Sequence, residues 1–254
     1  MPAADQDVFG IKVAGVAPGN PSHGLPRITG TYLLHDADTL QPVLAIDGPA
    51  LTLLRTASLS ALAVDALALP QASRLLVYGT GPQAAAHLQA LGSVRDFETV
   101  TVAGRTARSA RGFAEIHGVG VATADDLRRA DVVACCTSTS TPLFDGRDLS
   151  HRSTVVAMGS HTLDARELDT YALTGAQVVV EDVPTATREA ADVAEALASG
   201  GLDEAVALHR IVTGQTPVRH DRPRVFRSVG MAWEDLVVAK AALARWRPTQ
   251  GQDD

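Results

Sequence analysis

The segment Val77-Tyr78-Gly79-Thr80-Gly81-Pro82-Gln83-Ala84 carries the clearest structural signal in this chain of 254 residues. It leaves an apolar run that is typical of a buried strand and opens a stretch that is typical of a helix. In this G-x-G-x-x-A pattern, Gly79 permits a tight turn, Gly81 lets the backbone approach a pyrophosphate, and Ala84 allows close helix-to-strand packing. With Thr80 between the glycines, the motif predicts a dinucleotide site at a helix N-terminus. A tight turn without a ligand is the alternative.

Short apolar runs rich in valine recur on both sides of this motif. They lie at residues 75–78, 99–102, 119–122, 131–136, 154–157 and 177–180. Helical stretches such as 84–91 and 187–199 separate them. Continuously apolar strands that alternate with helices are typical of a parallel sheet covered on both faces. We therefore predict an α/β fold with a Rossmann doubly wound parallel sheet over residues 71–224.

The flanking segments have a different pattern. The first 70 residues predict a strand at 12–16, a Pro/Gly/Asn loop at 18–26, two strands that turn at Asp36-Ala37-Asp38, and a helix over 49–69 that Pro70 stops. The segment 226–245 predicts a short strand followed by a helix. We expect residues 1–70 and 225–254 to form a smaller α+β substrate-binding and dimerisation domain into which the Rossmann domain is inserted.

The amino-acid composition limits the classes of molecule that this protein is expected to bind. The apolar content of 46% fits a globular core, and the net charge of −7 disfavours nucleic acid and anionic membranes as partners. The adjacent Cys135 and Cys136 have neither a disulfide pattern nor a metal-ligand spacing, so we expect no metal site and a reducing, cytoplasmic location. The N-terminus has no secretory signal pattern, and no apolar run reaches the roughly 18 residues of a membrane helix.

The second strand of the predicted sheet ends at Ala103-Gly104-Arg105-Thr106-Ala107-Arg108. An acidic residue that would bind a ribose 2′-hydroxyl is missing there. Arg105 and Arg108, with Thr106 between them, suit a 2′-phosphate because guanidinium groups bind phosphate with paired hydrogen bonds. We therefore expect NADP(H) in preference to NAD(H). Solvated surface arginines are the alternative.

Six segments in the same order resemble the ornithine cyclodeaminase/mu-crystallin family. They are 12–16 with Pro18-Gly19-Asn20, Gly24-Leu25-Pro26, Leu54-Arg55-Thr56-Ala57-Ser58-Leu59-Ser60, the 79–84 motif, Gly159-Ser160-His161-Thr162 with Arg166-Glu167-Leu168, and 226–232 with Glu234-Asp235-Leu236. The resemblance extends from about residue 1 to residue 245. It implies a homodimeric NAD(P)-dependent enzyme that acts on an amino acid or its cyclic imine.

The resemblance also implies roles for individual residues. By motif position, Lys12 looks like the family's substrate lysine, and Arg55 looks like the arginine near both substrate and cofactor. Further residues that match family contacts are Pro82 and Gln83 at the pyrophosphate, Thr137, Val155, Val156, Ala157 and Met158 around the adenosine and nicotinamide halves, and Ser228 with the substrate-side Val229 beside the nicotinamide.

The chemistry of these residue types agrees with that implication. Reduction of a carbon–nitrogen double bond needs an anchored carboxylate, a proton for the nitrogen and a hydride at close range. Lys12 and Arg55 can anchor the carboxylate, and Lys12 can donate the proton. A lysine that guards an edge strand and an ordinary arginine on a helix surface are the alternatives.

Two departures from the family pattern bear on function. The acid/base Asp of the cyclodeaminases corresponds in position to His161, a residue that can also move protons near neutral pH. Family members usually carry several dozen further residues at the start, including helices of the dimerisation domain. We expect a reductase of the Δ1-pyrroline-2-carboxylate or Δ1-piperideine-2-carboxylate type. An ornithine cyclodeaminase and a non-catalytic, NADP-binding protein like mu-crystallin remain as alternatives.

Overall fold

The structure is a computed structural model that describes residues 2–159 and 165–246. His161 lies outside the described residues. Contacts between Cα atoms divide the chain into two compact units. One unit comprises Met1–Thr56 and Met231–Asp254, and the other comprises Ala57–Gly230.

The described residues contain strands and helices that alternate through most of the second unit. The strands are β1 (Pro2–Ala4), β2 (Val8–Val16), β3 (Ile28–Asp36), β4 (Pro42–Asp47), β5 (Arg74–Tyr78), β6 (Thr99–Ala103), β7 (Gly120–Val121), β8 (Val132–Cys135), β9 (Thr154–Ala157), β10 (Gln177–Val180), β11 (Val206–Ala207) and β12 (Arg224–Arg227). The α-helices are α1 (Gly48–Leu67), α2 (Pro82–Gly92), α3 (Ala107–His117), α4 (Asp126–Arg129), α5 (Thr170–Leu173), α6 (Val183–Glu189), α7 (Ala191–Ala198), α8 (Leu208–Val212) and α9 (Ala232–Trp246). Short 3-10 helices lie at Asn20–His23 and Gly146–Asp148.

The first unit is an antiparallel sheet with a helix on one face. Its strands follow in the order β1-β2-β3-β4. Side chains alternate between the two faces of a strand, and the inner face buries Val8, Tyr32 and Leu34 against Leu236 and Ala239 of α9. Helix α9 thus covers the face of the sheet that also carries Lys12, because Lys12 is the register partner of Tyr32.

The second unit contains an eight-stranded sheet in the order β11-β10-β12-β9-β8-β5-β6-β7. Every strand pair in it is parallel. Alternate residues of the strands enter two separate hydrophobic cores, one shared with α1, α2 and α3 and the other with α5, α6 and α7. Helices therefore cover both faces, and the predicted doubly wound α/β fold with a smaller antiparallel sheet is confirmed.

Several elements differ from the sequence-based expectation. Strand β2 begins at Val8, four residues earlier than predicted, and the short strands β1 and β11 were not foreseen. The helix predicted over 187–199 is broken at Ala190, which adopts an extended conformation between α6 and α7. The break places the buried Asp192 in the first turn of a separate helix.

Helix α1 is long and apolar enough, by length and composition alone, to cross a membrane. The expectation that no apolar stretch reaches this length is therefore wrong. However, 56% of its most apolar window is buried within the protein. The buried side chains of Ala57, Val64 and Leu67 are those of a core helix, so the finding is weak evidence for a membrane span.

Helix α2 is joined to α1 by a buried histidine. His87 Nδ1 lies 2.7 Å from the carbonyl oxygen of Gln83, and Nε2 lies 2.9 Å from Ser60 Oγ. Because a carbonyl only accepts, Nδ1 carries the hydrogen and Nε2 accepts from the serine hydroxyl. Burial lowers the pKa of His87 from its ordinary value of 6.5 to about 4, although the bond to Gln83 acts in the opposite direction.

This shift predicts a specific pH dependence of stability. The folded pKa lies below the unfolded one, so the unfolded chain binds more protons between them. We expect the free energy of unfolding to fall by up to about 3 kcal/mol as the pH drops from about 6.5 to about 4. Urea titrations at pH 7 and pH 4.5, compared with the His87→Gln variant, measure this contribution. An unchanged pH slope in that variant would contradict the assignment.

Candidate functional site

The loop between β5 and α2 leaves its backbone open at the N-terminus of the helix. Gly79 has a φ of +118°, and a Cβ there would lie 2.4 Å from the carbonyl oxygen of Cys136. A Cβ on Gly81 would meet nothing within 4 Å. Gly81 is the N-cap of α2 and supplies no side-chain acceptor, so the amides of the first turn remain available to an anion. The arrangement fits a pyrophosphate.

Pro82 and Gln83, which are also predicted to contact the pyrophosphate, follow this loop directly. Pro82 is exposed at the start of α2. The side-chain oxygen of Gln83 is buried and has no hydrogen-bond partner within the described chain. An unsatisfied buried acceptor of this kind is uncommon, and it adds a polar contact point beside the open amides.

The turn after β6 lies directly beside the glycine loop. Gly79 N donates to the carbonyl of Ala103, and a Cβ on Gly104 would lie 3.0 Å from Thr80 Cγ2. Thr106 is the N-cap of α3 and forms a capping box with Ser109. Arg105 and Arg108 are exposed around this turn. Two guanidinium groups are therefore available next to the glycine loop.

A buried carboxylate joins the ends of β8 and β9. Glu167 Oε1 accepts from Thr137 N at 2.8 Å and Thr137 Oγ1 at 2.6 Å, and Oε2 accepts from Gly159 N at 2.7 Å and Met158 N at 3.2 Å. Burial raises the pKa of Glu167, although these hydrogen bonds and the charge of Arg227 act in the opposite direction. Thr137 and Met158 are thus fixed by one side chain at the carboxyl end of the sheet, where open α/β folds bind ligands.

Glu181, which directly follows β10, also accepts several hydrogen bonds from another segment of the chain. Its carboxylate accepts from Ser228 Oγ at 2.5 Å, from Val229 N at 3.2 Å and from Gly230 N at 3.1 Å. Ser228 and Val229 are both buried. The chain beyond β12 is therefore held in one conformation by a carboxylate from the neighbouring strand.

The predicted contacts on β9 have buried side chains. Val155 and Ala157 belong to one core of the second unit and Val156 to the other. Such side chains pack inside the protein, so any contact with a cofactor would involve the backbone at the end of the strand. Their assignment to the cofactor site stays a prediction.

In the first unit, Lys12 and Arg55 converge on a pair of adjacent acids. Lys12 Nζ lies 2.6 Å from Asp235 Oδ2, and Arg55 Nε lies 3.5 Å from Asp235 Oδ1. Arg55 also donates to Glu234 Oε2 at 2.6 Å. The side chains of the two cations are only 8% and 10% exposed. Strand β2 has neighbours on both sides, so the interpretations of Lys12 as an edge-strand guard and of Arg55 as a surface arginine are not favoured.

The charges in this group sum to zero, because two cations face two carboxylates. The group therefore offers oriented donors rather than a net positive field. A substrate carboxylate and an imine nitrogen both require such donors.

A family model for the ornithine cyclodeaminase/mu-crystallin family matches residues 1–250. The chain belongs to this family.

Individual members of the family support the same placement. The chain is 30% identical over 260 residues to the Δ1-pyrroline-2-carboxylate reductase of Colwellia psychrerythraea, covering 96% of this chain and 82% of that protein. It is 34% identical over 251 residues to the Δ1-pyrroline-2-carboxylate/Δ1-piperideine-2-carboxylate reductase of Azospirillum brasilense, covering 95% and 78%. The solved Δ1-pyrroline-2-carboxylate reductase of Thermococcus litoralis, in complex with NADH and L-proline, superposes with a TM-score of 0.86 at 26% identity over 94% of this chain and 78% of that one.

Four acidic residues hold the site residues of this ornithine cyclodeaminase/mu-crystallin family member in place, although no role was assigned to them from the sequence. They are Glu167, Glu181, Glu234 and Asp235. Glu181 stands directly after the apolar run of β10, and an acid at the carboxyl end of a buried strand is a usable signal. The other three lie within the segments that resemble the family, Arg166-Glu167-Leu168 and Glu234-Asp235-Leu236, and that resemblance is the signal that could have identified them.

Proposed function

We propose that this chain is an NADPH-dependent reductase of cyclic imino acids, of the Δ1-pyrroline-2-carboxylate or Δ1-piperideine-2-carboxylate type. The observation that carries the proposal is the convergence of Lys12 and Arg55 in a chain that aligns over 96% of its length with such a reductase. An oxidoreductase that acts on carbon–nitrogen bonds needs this combination of an anion anchor and a proton donor.

In the proposed reaction, Arg55 binds the substrate carboxylate and Lys12 protonates the imine nitrogen. Guanidinium binds carboxylate through two hydrogen bonds in one plane. When the imine carbon accepts a hydride, the nitrogen must gain a proton, and the ammonium of Lys12 supplies it. The bound coenzyme supplies the hydride. Val229 is proposed to contact the substrate ring.

We propose that the coenzyme lies along the glycine loop of the second unit. Gly79, Thr80, Gly81, Pro82 and Gln83 would hold the pyrophosphate, since the α2 amides are open and Gly79 has no room for a side chain. Arg105, Thr106 and Arg108 would hold a 2′-phosphate. Thr137, Met158 and Ser228 present backbone or hydroxyl groups at the carboxyl end of the same sheet, where the rest of the coenzyme is expected.

A reductase is favoured over a cyclodeaminase because position 161 is His rather than Asp. Ammonia loss from a diamino acid asks for a carboxylate base at this point in the family. His161 is proposed to assist proton transfer near neutral pH.

Purified protein incubated with NADPH and Δ1-pyrroline-2-carboxylate tests the proposal by loss of absorbance. We expect oxidation of NADPH and formation of proline. Release of ammonia from ornithine without net coenzyme turnover would instead identify a cyclodeaminase, and tight NADPH binding without oxidation by any cyclic imine would identify a carrier.

Arg105→Ser should raise KM for NADPH roughly 10- to 100-fold and leave KM for NADH unchanged. Arg111→Ser, which removes an exposed arginine from helix α3 shortly after Arg105, is the matched control.

We further propose a cytoplasmic homodimer with neither nucleic acid nor membrane as a partner. The outer face of the first unit's sheet supports the dimer, because Ile11, Val13 and Leu33 are exposed there and contiguous exposed apolar surface is typical of interfaces. The net charge of −7 supports the exclusion of nucleic acid. Light scattering after size-exclusion chromatography measures the assembly.

A further inference from the structure

Asp235 is a buried carboxylate that faces the proposed proton donor. Its side chain is 0% exposed, and it lies on the first turns of α9 against the inner face of the sheet. Lys12 Nζ is 2.6 Å from Oδ2, and Arg55 Nε is 3.5 Å from Oδ1. One carboxylate thus lies within ion-pair distance of both cations that the proposed function assigns to the substrate.

Lys12 differs from most basic residues of the chain because it is a lysine and its side chain is buried. Of 22 lysines and arginines, only Lys12 and Lys240 are lysines. Lys240 is 41% exposed and pairs with Asp5 and Asp7. Lys12 is the buried one of the two. Arginine forms buried ion pairs more readily than lysine, and only the amine can release a proton near neutral pH, so an ion pair alone does not account for lysine at this position.

The other groups that face Lys12 do not substitute for Asp235. Tyr32, its cross-strand partner on β3, is buried, and its hydroxyl has no hydrogen-bond partner within the described residues. Burial and then the charge of Asp235 raise the pKa of Tyr32 to about 12, so the hydroxyl stays neutral. Thr52 Oγ1 on α1 is a weaker contact at 3.4 Å.

Glu234 has a different task, although it is adjacent in sequence. Its carboxylate accepts from Arg55 Nη1 at 2.6 Å and from the backbone N of Met231 at 3.0 Å. It therefore fixes the guanidinium and the start of α9. Asp235 Oδ2 contacts the Lys12 ammonium directly, at an ion-pair distance of 2.6 Å.

We propose that Asp235 is a positioning residue for the reduction, which holds the Lys12 ammonium in the orientation that donates to the imine nitrogen. This inference rests on the proposed function. When the imine carbon accepts the hydride that a bound nicotinamide coenzyme would supply, the proton moves from Lys12 Nζ to the imine nitrogen. Lys12 then regains a proton from water.

The test uses the full chain with ¹³C-labelled lysine, which gives only two sets of lysine signals, assigned with Lys240→Arg. In Asp235→Asn, we expect the Lys12 side-chain signal to move away from its wild-type position, because the carboxylate that holds the ammonium is gone. We expect kcat for imine reduction to fall roughly 10- to 100-fold, whereas KM for the imine, which Arg55 anchors, should change little. Asp235→Glu should keep an ion pair with Lys12 while kcat stays reduced, because the longer side chain displaces the ammonium.

Asp7→Asn is the matched control, since it removes a carboxylate from the other lysine. It should move the Lys240 signal and leave that of Lys12 in place. A wild-type Lys12 signal together with wild-type kcat in Asp235→Asn would overturn the inference even if the enzyme is active. Absence of imine reduction in the wild type would overturn the proposed function, and the inference with it. The two failures are distinguishable, because the first leaves the wild type active and the second does not. If Asp235→Asn does not fold, Asp235→Glu is measured instead, and wild-type kcat with an unchanged Lys12 signal in that variant contradicts a positioning role.

Discussion

Replacement of Lys12 by methionine is expected to lower kcat for cyclic-imine reduction by roughly 100- to 10,000-fold, the usual contribution of a positioned general acid. Methionine has a similar length and apolar stem but cannot donate a proton. Initial rates at saturating substrate and coenzyme measure the effect. Coenzyme binding, measured by calorimetry, should not change, because Lys12 is not among the residues that we assign to the coenzyme.

Lys12→Arg separates proton donation from charge. Methionine leaves Asp235 without its ammonium partner, which also costs stability. Arginine keeps a positive charge beside Asp235 but cannot release a proton near neutral pH. We therefore expect Lys12→Arg to fold like the wild type and to share the loss of kcat. Wild-type kcat in Lys12→Arg would remove Lys12 from the proton transfer.

Replacement of Arg227 by methionine is expected to lower the free energy of unfolding by about 3–5 kcal/mol. Arg227 and Asp192 are both 0% exposed, and Arg227 Nε lies 3.0 and 2.9 Å from the two carboxylate oxygens. The guanidinium also donates to the carbonyl of Ser228. Loss of the cation leaves the buried charge of Asp192 without this ion-pair partner, although the backbone N of Val193 still donates to it. Urea unfolding followed by circular dichroism gives the change.

The double variant Arg227→Met/Asp192→Leu is the control for this pair. Replacing both partners of a buried ion pair by apolar groups is often close to neutral, whereas removing one is not. The double variant should therefore recover most of the lost stability. A loss in the double variant as large as in the single one would show that packing around Arg227, rather than the unpaired Asp192, causes the effect.

The sequence allowed the sheet and the glycine loop to be predicted because both depend on local patterns. A run such as 132–135 is apolar at every position, as expected of a strand buried on both faces. Gly79 and Gly81 stand between such a run and a helix, so their backbone role follows from spacing alone. The two-residue strand β11 has too few residues for any periodicity to develop.

The acids of the site could not be assigned in the same way, because their partners are distant along the chain. Glu167 accepts from Thr137, thirty positions earlier. Asp235 meets Lys12 only after α9 has packed on the first unit's sheet. A single sequence shows the type of each residue but not these pairings. Similarly, the break at Ala190 has no local Gly or Pro to predict it.

The position of β12 has a consequence for how the protein is made. This strand, Arg224–Arg227, lies between β9 and β10 in the parallel sheet, although it is the last strand in sequence among the residues that the structure describes. While the ribosome is still synthesising residues before 224, β9 and β10 each lack a hydrogen-bonding neighbour on that side. Unpaired strand edges favour association with other chains, and closure over long sequence separations is slow. A nascent chain of this protein therefore remains prone to aggregation until residues 224–227 have been synthesised.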